Sequence, residues 1–150
     1  MNKLQTLIII FLFFIGFISS SAQPPKKVVS AFSAKFGNVT NLEWTHEKNG
    51  FEASFLKSDK RYYATFNVSG QWLDTETEIP ITDLPEIVQN TFFAKFGKTQ
   101  RIIAASKIEK NDGVLFFVIE YKSGLSTTEI IYDQDGKTRK LASSDRVRSW

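Results

Sequence analysis

Two periodicities divide the chain. Val28, Phe32 and Phe36 recur every four residues, as do Val88, Phe92 and Phe96, and each set marks one stripe of an amphipathic helix. Gly37 and Gly97 follow these stripes and offer helix stops, because glycine enters the left-handed conformation without a Cβ clash. Ahead of the second stripe, Asp83 is placed as an N-cap with Glu86 at the capping-box position and Pro85 in the first turn. The pattern then changes to alternation with a period of two, the mark of half-buried strands. It predicts strands at 39–47, 51–57, 61–68 and 71–78 after the first helix, and at 100–109, 114–121, 125–132 and 137–142 after the second. The turns between them are short, among them Lys48-Asn49-Gly50, Ser58-Asp59-Lys60, Asn111-Asp112-Gly113 and Asp135-Gly136, so neighbouring strands should run antiparallel.

The order repeats. Pro25 to Gly37 aligns with Pro85 to Gly97 at a constant offset, ending in Ala34-Lys35-Phe36-Gly37 and Ala94-Lys95-Phe96-Gly97. Asn49-Gly50 then matches Asp112-Gly113, and the turn at Ser69-Gly70 matches that at Asp135-Gly136. Landmarks recurring in one order point to an internal duplication. The expected fold is α+β: a tandem repeat of a helix plus a four-stranded antiparallel meander, both helices on one face of a curved sheet. The repeats are placed at 23–80 and 81–142, with a basic tail at 143–150.

Alternation also assigns faces. In the first repeat Leu42, Trp44, Phe51, Ala53, Phe55, Tyr62, Ala64, Phe66 and Leu73 should lie under the helix. The other side carries Glu43, Glu52, Asp74, Glu76 and Glu78, with Tyr63 and Trp72 as aromatic residues among them. When the second repeat is aligned by its turns, Val114, Phe116, Val118, Thr128, Ile130 and Tyr132 face the helix. Leu115, Phe117, Ile119, Tyr121 and Ile131 are then left on a side that no helix covers. An apolar surplus of this kind points either to a partner or second copy docking there, or to the C-terminal tail folding over it.

The start of the chain has another character. Lys3, an apolar run from Leu7 to Ile18 and the small residues Ser20-Ser21-Ala22 read as a secretory signal peptide at 1–22, cleaved near Ala22-Gln23. The run is shorter than the roughly 20 residues a membrane-spanning helix requires. A periplasmic or secreted location follows, with no stable membrane anchor after cleavage. The chain has no cysteine, which excludes disulfides, thiol catalysis and thiolate metal sites. Its formal charge of +3 is small, and its basic residues are scattered, so nucleic acid is not an expected partner.

Chemistry-bearing constellations are thin. His46 is the single histidine and no Gly-x-Ser-x-Gly elbow accompanies it, so no catalytic residue is assigned. Asp74, Glu76 and Glu78 alternate along one strand, about 6.6 Å apart at each step, too splayed to hold one cation alone. Asp133-Gln134-Asp135-Gly136 lacks the downstream glutamate of a calcium loop and reads as a turn. Neither a metal nor another cofactor is expected.

The Lys35-Phe36-Gly37 helix end, Glu43-Trp44, the Asn-Gly hairpin before Phe51 to Phe55, the stretch Trp72-Leu73-Asp74-Thr75-Glu76 and the helix start at Leu84-Pro85 form a series. It resembles the PepSY-like family, the β-lactamase-inhibitor-like exported proteins of Gram-negative bacteria. The resemblance implies a curved antiparallel sheet with helices on its convex side, and in the name-giving inhibitor the concave face grips the enzyme. Taken together, the expectation is an exported, non-enzymatic binding module, inhibitory in one form, engaging an unknown protein or peptide through the helix-free face. Tyr63, Trp72, Leu115, Phe117, Ile119, Tyr121 and Ile131 are its candidate contacts. The alternative is a structural homodimer using the same face.

Overall fold

The computed structural model describes residues 23–139. The signal peptide expected at 1–22 and the tail expected at 143–150 lie outside the described residues. Helix α1 (Lys26–Phe36) precedes strands β1 (Thr40–Glu47), β2 (Gly50–Lys57), β3 (Lys60–Asn67) and β4 (Trp72–Ile79). A single 3-10 turn at Ile81–Asp83 leads to helix α2 (Glu86–Phe96), followed by β5 (Ile102–Lys110), β6 (Leu115–Ser123), β7 (Ser126–Asp133) and β8 (Thr138–Arg139). All eight strands join one antiparallel sheet in chain order, a continuous meander.

Both helices bury the stripe that their four-residue spacing predicts: Val28 and Phe32 in α1, Val88 and Phe92 in α2. The capping residue differs from expectation. Pro25 and Pro85 hold the N-cap positions, each carbonyl accepting the first helical N–H, and Asp83 sits in the preceding 3-10 turn, too early to cap α2. Gly37 and Gly97 end the helices with φ of 67° and 87°, where a side chain would be strained.

The ladder shows that both helices lie on one face. Phe55 pairs with Tyr62, Tyr62 with Thr77, Thr77 with Lys107, Lys107 with Phe117 and Phe117 with Tyr132. Directly opposed residues share a face, so this row runs under both helices. At one end it belongs to the core of α1, built from Val28, Phe32, Phe51, Ala53, Phe55, Ala64 and Phe66. At the other it belongs to the core of α2, built from Leu84, Val88, Phe92, Ala105, Phe117, Ile119, Tyr121 and Tyr132.

Two face assignments are therefore corrected. Leu115, Phe117, Ile119 and Tyr121 point at α2, with Phe92 and Tyr121 in edge contact at 5.3 Å between ring centres. Val114 is exposed, and Phe116 and Val118 take the helix-free side. The cause is turn length. Glu47 pairs with Gly50 across the two-residue turn Lys48-Asn49, whereas Lys110 and Val114 close over three residues, Asn111-Asp112-Gly113, with Gly113 at φ 82°. One extra residue reverses every side chain of the following strand. Gly50 is accordingly a strand residue, kept small because a Cβ would collide with the Phe66 carbonyl.

Trp72 is the second correction. A register shift in β4 pairs Thr65 with Asp74 but Phe66 with Trp72, leaving Leu73 as the bulged residue. The bulge turns Trp72 to the helix side, against the core of α1. Leu42 also departs from expectation: it follows Asn41, whose φ is 53°, at a β1 irregularity and is 39% exposed.

Candidate functional site

Side chains on the helix-free face follow from the same register. One row reads Glu43, Ser54, Tyr63, Glu76, Ile108, Phe116 and Asp133. A neighbouring row brings Ser106, Val118 and Ile131 together, and the next sets Ala104, Glu120 and Glu129 side by side. Of the seven contacts read from sequence, Tyr63 and Ile131 lie on this face, while Trp72, Leu115, Phe117, Ile119 and Tyr121 do not. Phe116, Val118 and Ile108 take their place and form an apolar stripe with Ile131. Ile108 and Val118 are buried, while Phe116 and Ile131 are half-buried. Sequence reasoning passed over Glu120 and Glu129, although Glu120 is a charged residue that directly follows the apolar run from Val114 to Ile119.

Carboxylates flank that stripe. Glu120 and Glu129 are directly opposed on β6 and β7, an arrangement in which like charges destabilise a sheet. Burial, together with the charges of Glu76 and Glu120, pushes the Glu129 carboxyl up to about 7. Glu76, buried among the strands, is raised as well, chiefly by burial; the Ser106 hydroxyl donates to it at 2.5 Å and offsets part of this. Glu78, Glu120 and Glu129 line a slot of about 140 Å³ floored by Ala104, Ala105 and Val118. An apolar floor under carboxylates suits the methylene stem and charged head of a lysine or arginine.

Two other carboxylates on the face, Asp74 and Asp133, are paired with cations. Lys110 meets Asp74 at 3.1 Å. Burial would raise the Asp133 carboxyl, but the backbone N–H groups of Lys137 and Asp135 and the Arg139 guanidinium donate to it and hold it below the usual range. These bonds make Asp133-Gln134-Asp135-Gly136 a closed turn, as its sequence suggested. Among the described residues no group of three or more potential ligands is disposed to hold a metal ion. His46 is exposed at the end of β1, its ring edge-on to Phe51 at 5.1 Å.

Nine carboxylates (Glu43, Glu47, Glu52, Asp74, Glu76, Glu78, Glu120, Glu129, Asp133) share this face with four cations, Arg61, Lys110, Lys122 and Arg139. The chain as a whole carries +3, so the acidity belongs to one side of the sheet. Among the described residues no helix is long and apolar enough to cross a membrane.

Comparison with known proteins agrees with this architecture. A Bacteroides ovatus protein of the DUF2874 family superposes with a TM-score of 0.70 at 21% identity, covering 79% of this chain and 86% of its own. A Bacteroides eggerthii structure described as "putative periplasmic proteins" gives 0.73 at 15%, covering 79% and 88%. A BLIP-like protein from Bacteroides fragilis gives 0.68 at 18%, covering 87% and 94%. At these identities the likeness shows the fold. Among curated proteins none matches the chain. The family model described as "Putative beta-lactamase-inhibitor-like, PepSY-like" matches residues 49–140, and the chain belongs to that PepSY-like family.

Proposed function

We propose that this chain is an exported, non-enzymatic binding module that takes a basic, partly apolar segment of another protein on its helix-free face. The observation that carries the reading is the opposed pair Glu120 and Glu129, beside the apolar stripe of Phe116, Val118 and Ile131. A sheet gains no stability from two glutamates facing each other, and a lysine at either position would serve the fold better. Groups that cost the fold something mark sites kept for a purpose other than packing. A partner's ammonium or guanidinium in the slot would reverse that cost through charge-assisted hydrogen bonds.

Export is supported by the leader-like residues 1–22 and by the periplasmic description of a structural relative. The family's inhibitor-like description is consistent with a face that grips protein, and inhibition of a bound enzyme is one use of such a grip. An order of one helix and four strands, occurring twice, supports an origin by duplication, with repeats at 23–80 and 81–142. A homodimer is the weaker reading. A two-fold interface through this face would set its carboxylates against the same carboxylates of the second copy.

The test uses an alternating lysine–leucine peptide as probe, titrated into the purified protein at low salt. Binding should weaken at least about tenfold in Glu129→Gln and in Glu120→Gln. Glu109→Gln, which removes a carboxylate from the other face, should leave it unchanged. Equal losses in all three variants would reduce the effect to net charge and overturn the proposal, as would an inert peptide.

A further inference from the structure

We propose that the cleft between the C-terminal end of α1 and the 3-10 turn before α2, on the opposite side of the sheet, is a binding site for a small planar organic acid. The inference is independent of the reading above, because it uses the other face and other residues. The row under the helices reads Phe55, Tyr62, Thr77, Lys107, Phe117, Tyr132. Aromatic rings occupy both ends, and threonine and lysine interrupt them midway. Aliphatic residues there would continue one core from α1 to α2. Polar ones instead keep open a cleft of about 460 Å³, within the range of about 300–1,000 Å³ typical of small-molecule sites.

Its apolar wall is held rigidly. The β4 bulge aims Trp72 into the cleft, and bulges commonly re-aim side chains beside functional sites. The indole Nε1–H donates to the buried Thr75 hydroxyl at 2.9 Å, which fixes the ring. Tyr62, also lining the cleft, is stacked on Phe55 with ring planes 10° apart. A flat ligand would meet pre-oriented rings and order few side chains on binding.

Charge sets the ligand's sign. Lys35, Lys60 and Lys107 line the cleft against two acids, Asp83 and Glu109. The Lys35 ammonium already rests 3.4 Å from the centre of the Trp72 ring, where a carboxylate beside the indole would meet it. Among the described residues, none of these three lysines forms a salt bridge with Asp83 or Glu109. The cations are therefore available to an incoming anion.

Naphthalene-2-carboxylate is the probe, followed through the Trp72 indole N–H signal in ¹⁵N-labelled protein. Saturable movement of that signal is expected, at least about tenfold weaker in Lys107→Met and in Lys35→Met. The neutral analogue 2-naphthalenemethanol should bind at least about tenfold more weakly, and Glu129→Gln should bind as the parent does. Equal binding of the alcohol, unchanged affinity in both lysine variants, or a still Trp72 signal would each overturn the proposal.

Discussion

In the first half of the sheet the helix rests on a bed of rings. Phe32 alone contacts Phe36, Trp44, Phe55 and Phe66, at 5.0 to 6.2 Å between centres. In the second half the equivalent Phe92 meets Phe93, Phe96 and Tyr121, while buried Phe117 and Tyr132 share the remaining bed with aliphatic Ala105 and Ile119. The helix-free sides differ as well. Across β1 and β2 that side is polar and largely open, whereas across β5 to β7 it holds buried Ile108 and Val118 among carboxylates. One element order thus supports two different surfaces, because β6 is apolar at consecutive positions and sets Phe116 and Val118 on the side where β2 carries Glu52 and Ser54.

The sharpest way to break this comparison is a pair of neighbours on β6. Phe117→Glu places a carboxylate under α2, in the apolar core, and should cost more than about 4 kcal/mol, enough to unfold a domain of this size. Phe116→Glu, one residue earlier and half-buried on the other side, should cost within about 2 kcal/mol. Urea unfolding of both variants decides it, and equal costs would refute the face assignment.

A smaller effect separates the two cores. Phe32→Ala and Phe92→Ala each remove a fully buried ring and should destabilise by about 3–5 kcal/mol, with Phe32 nearer the upper end because it has more ring neighbours. Since β4 and β5 pair along six positions, either loss should unfold the whole sheet in one transition. Two resolved transitions in a calorimetric trace would show instead that the halves fold separately.

Much of this was legible beforehand, and the misses share one cause. Periodicity found both helices and the strands because those signals are local: Val28, Phe32 and Phe36 identify a stripe whatever packs on it. Face assignment is not local. It requires counting residues through every turn and bulge, and Asn111-Asp112-Gly113 and Leu73 each shift the count by one. Trp72 was therefore recognised as a residue of note and placed on the wrong side. The opposed Glu120 and Glu129 escaped notice because they are nine residues from each other in sequence, and only the register between β6 and β7 makes them neighbours.

The mildest test concerns that pair and stability against pH. The ordinary glutamate value is near 4.5, and in the folded chain Glu129 is raised to about 7, chiefly by burial. Between these values the folded state binds more protons than the unfolded one, so stability must fall as pH rises through that window. The half-exposed carboxyl is partly screened by solvent, which leaves an effect of about 1–2 kcal/mol. Glu76 acts in the same direction, while the lowered Asp133 adds a loss that begins only under strongly acidic conditions. Urea midpoints should therefore be higher at pH 5.5 than at pH 8 in the parent, and Glu129→Gln should remove most of that difference. A parent protein equally stable at both values would mean that the second half carries no charge strain. Its helix-free face would then differ from the first in its buried Ile108 and Val118 and not in charge strain.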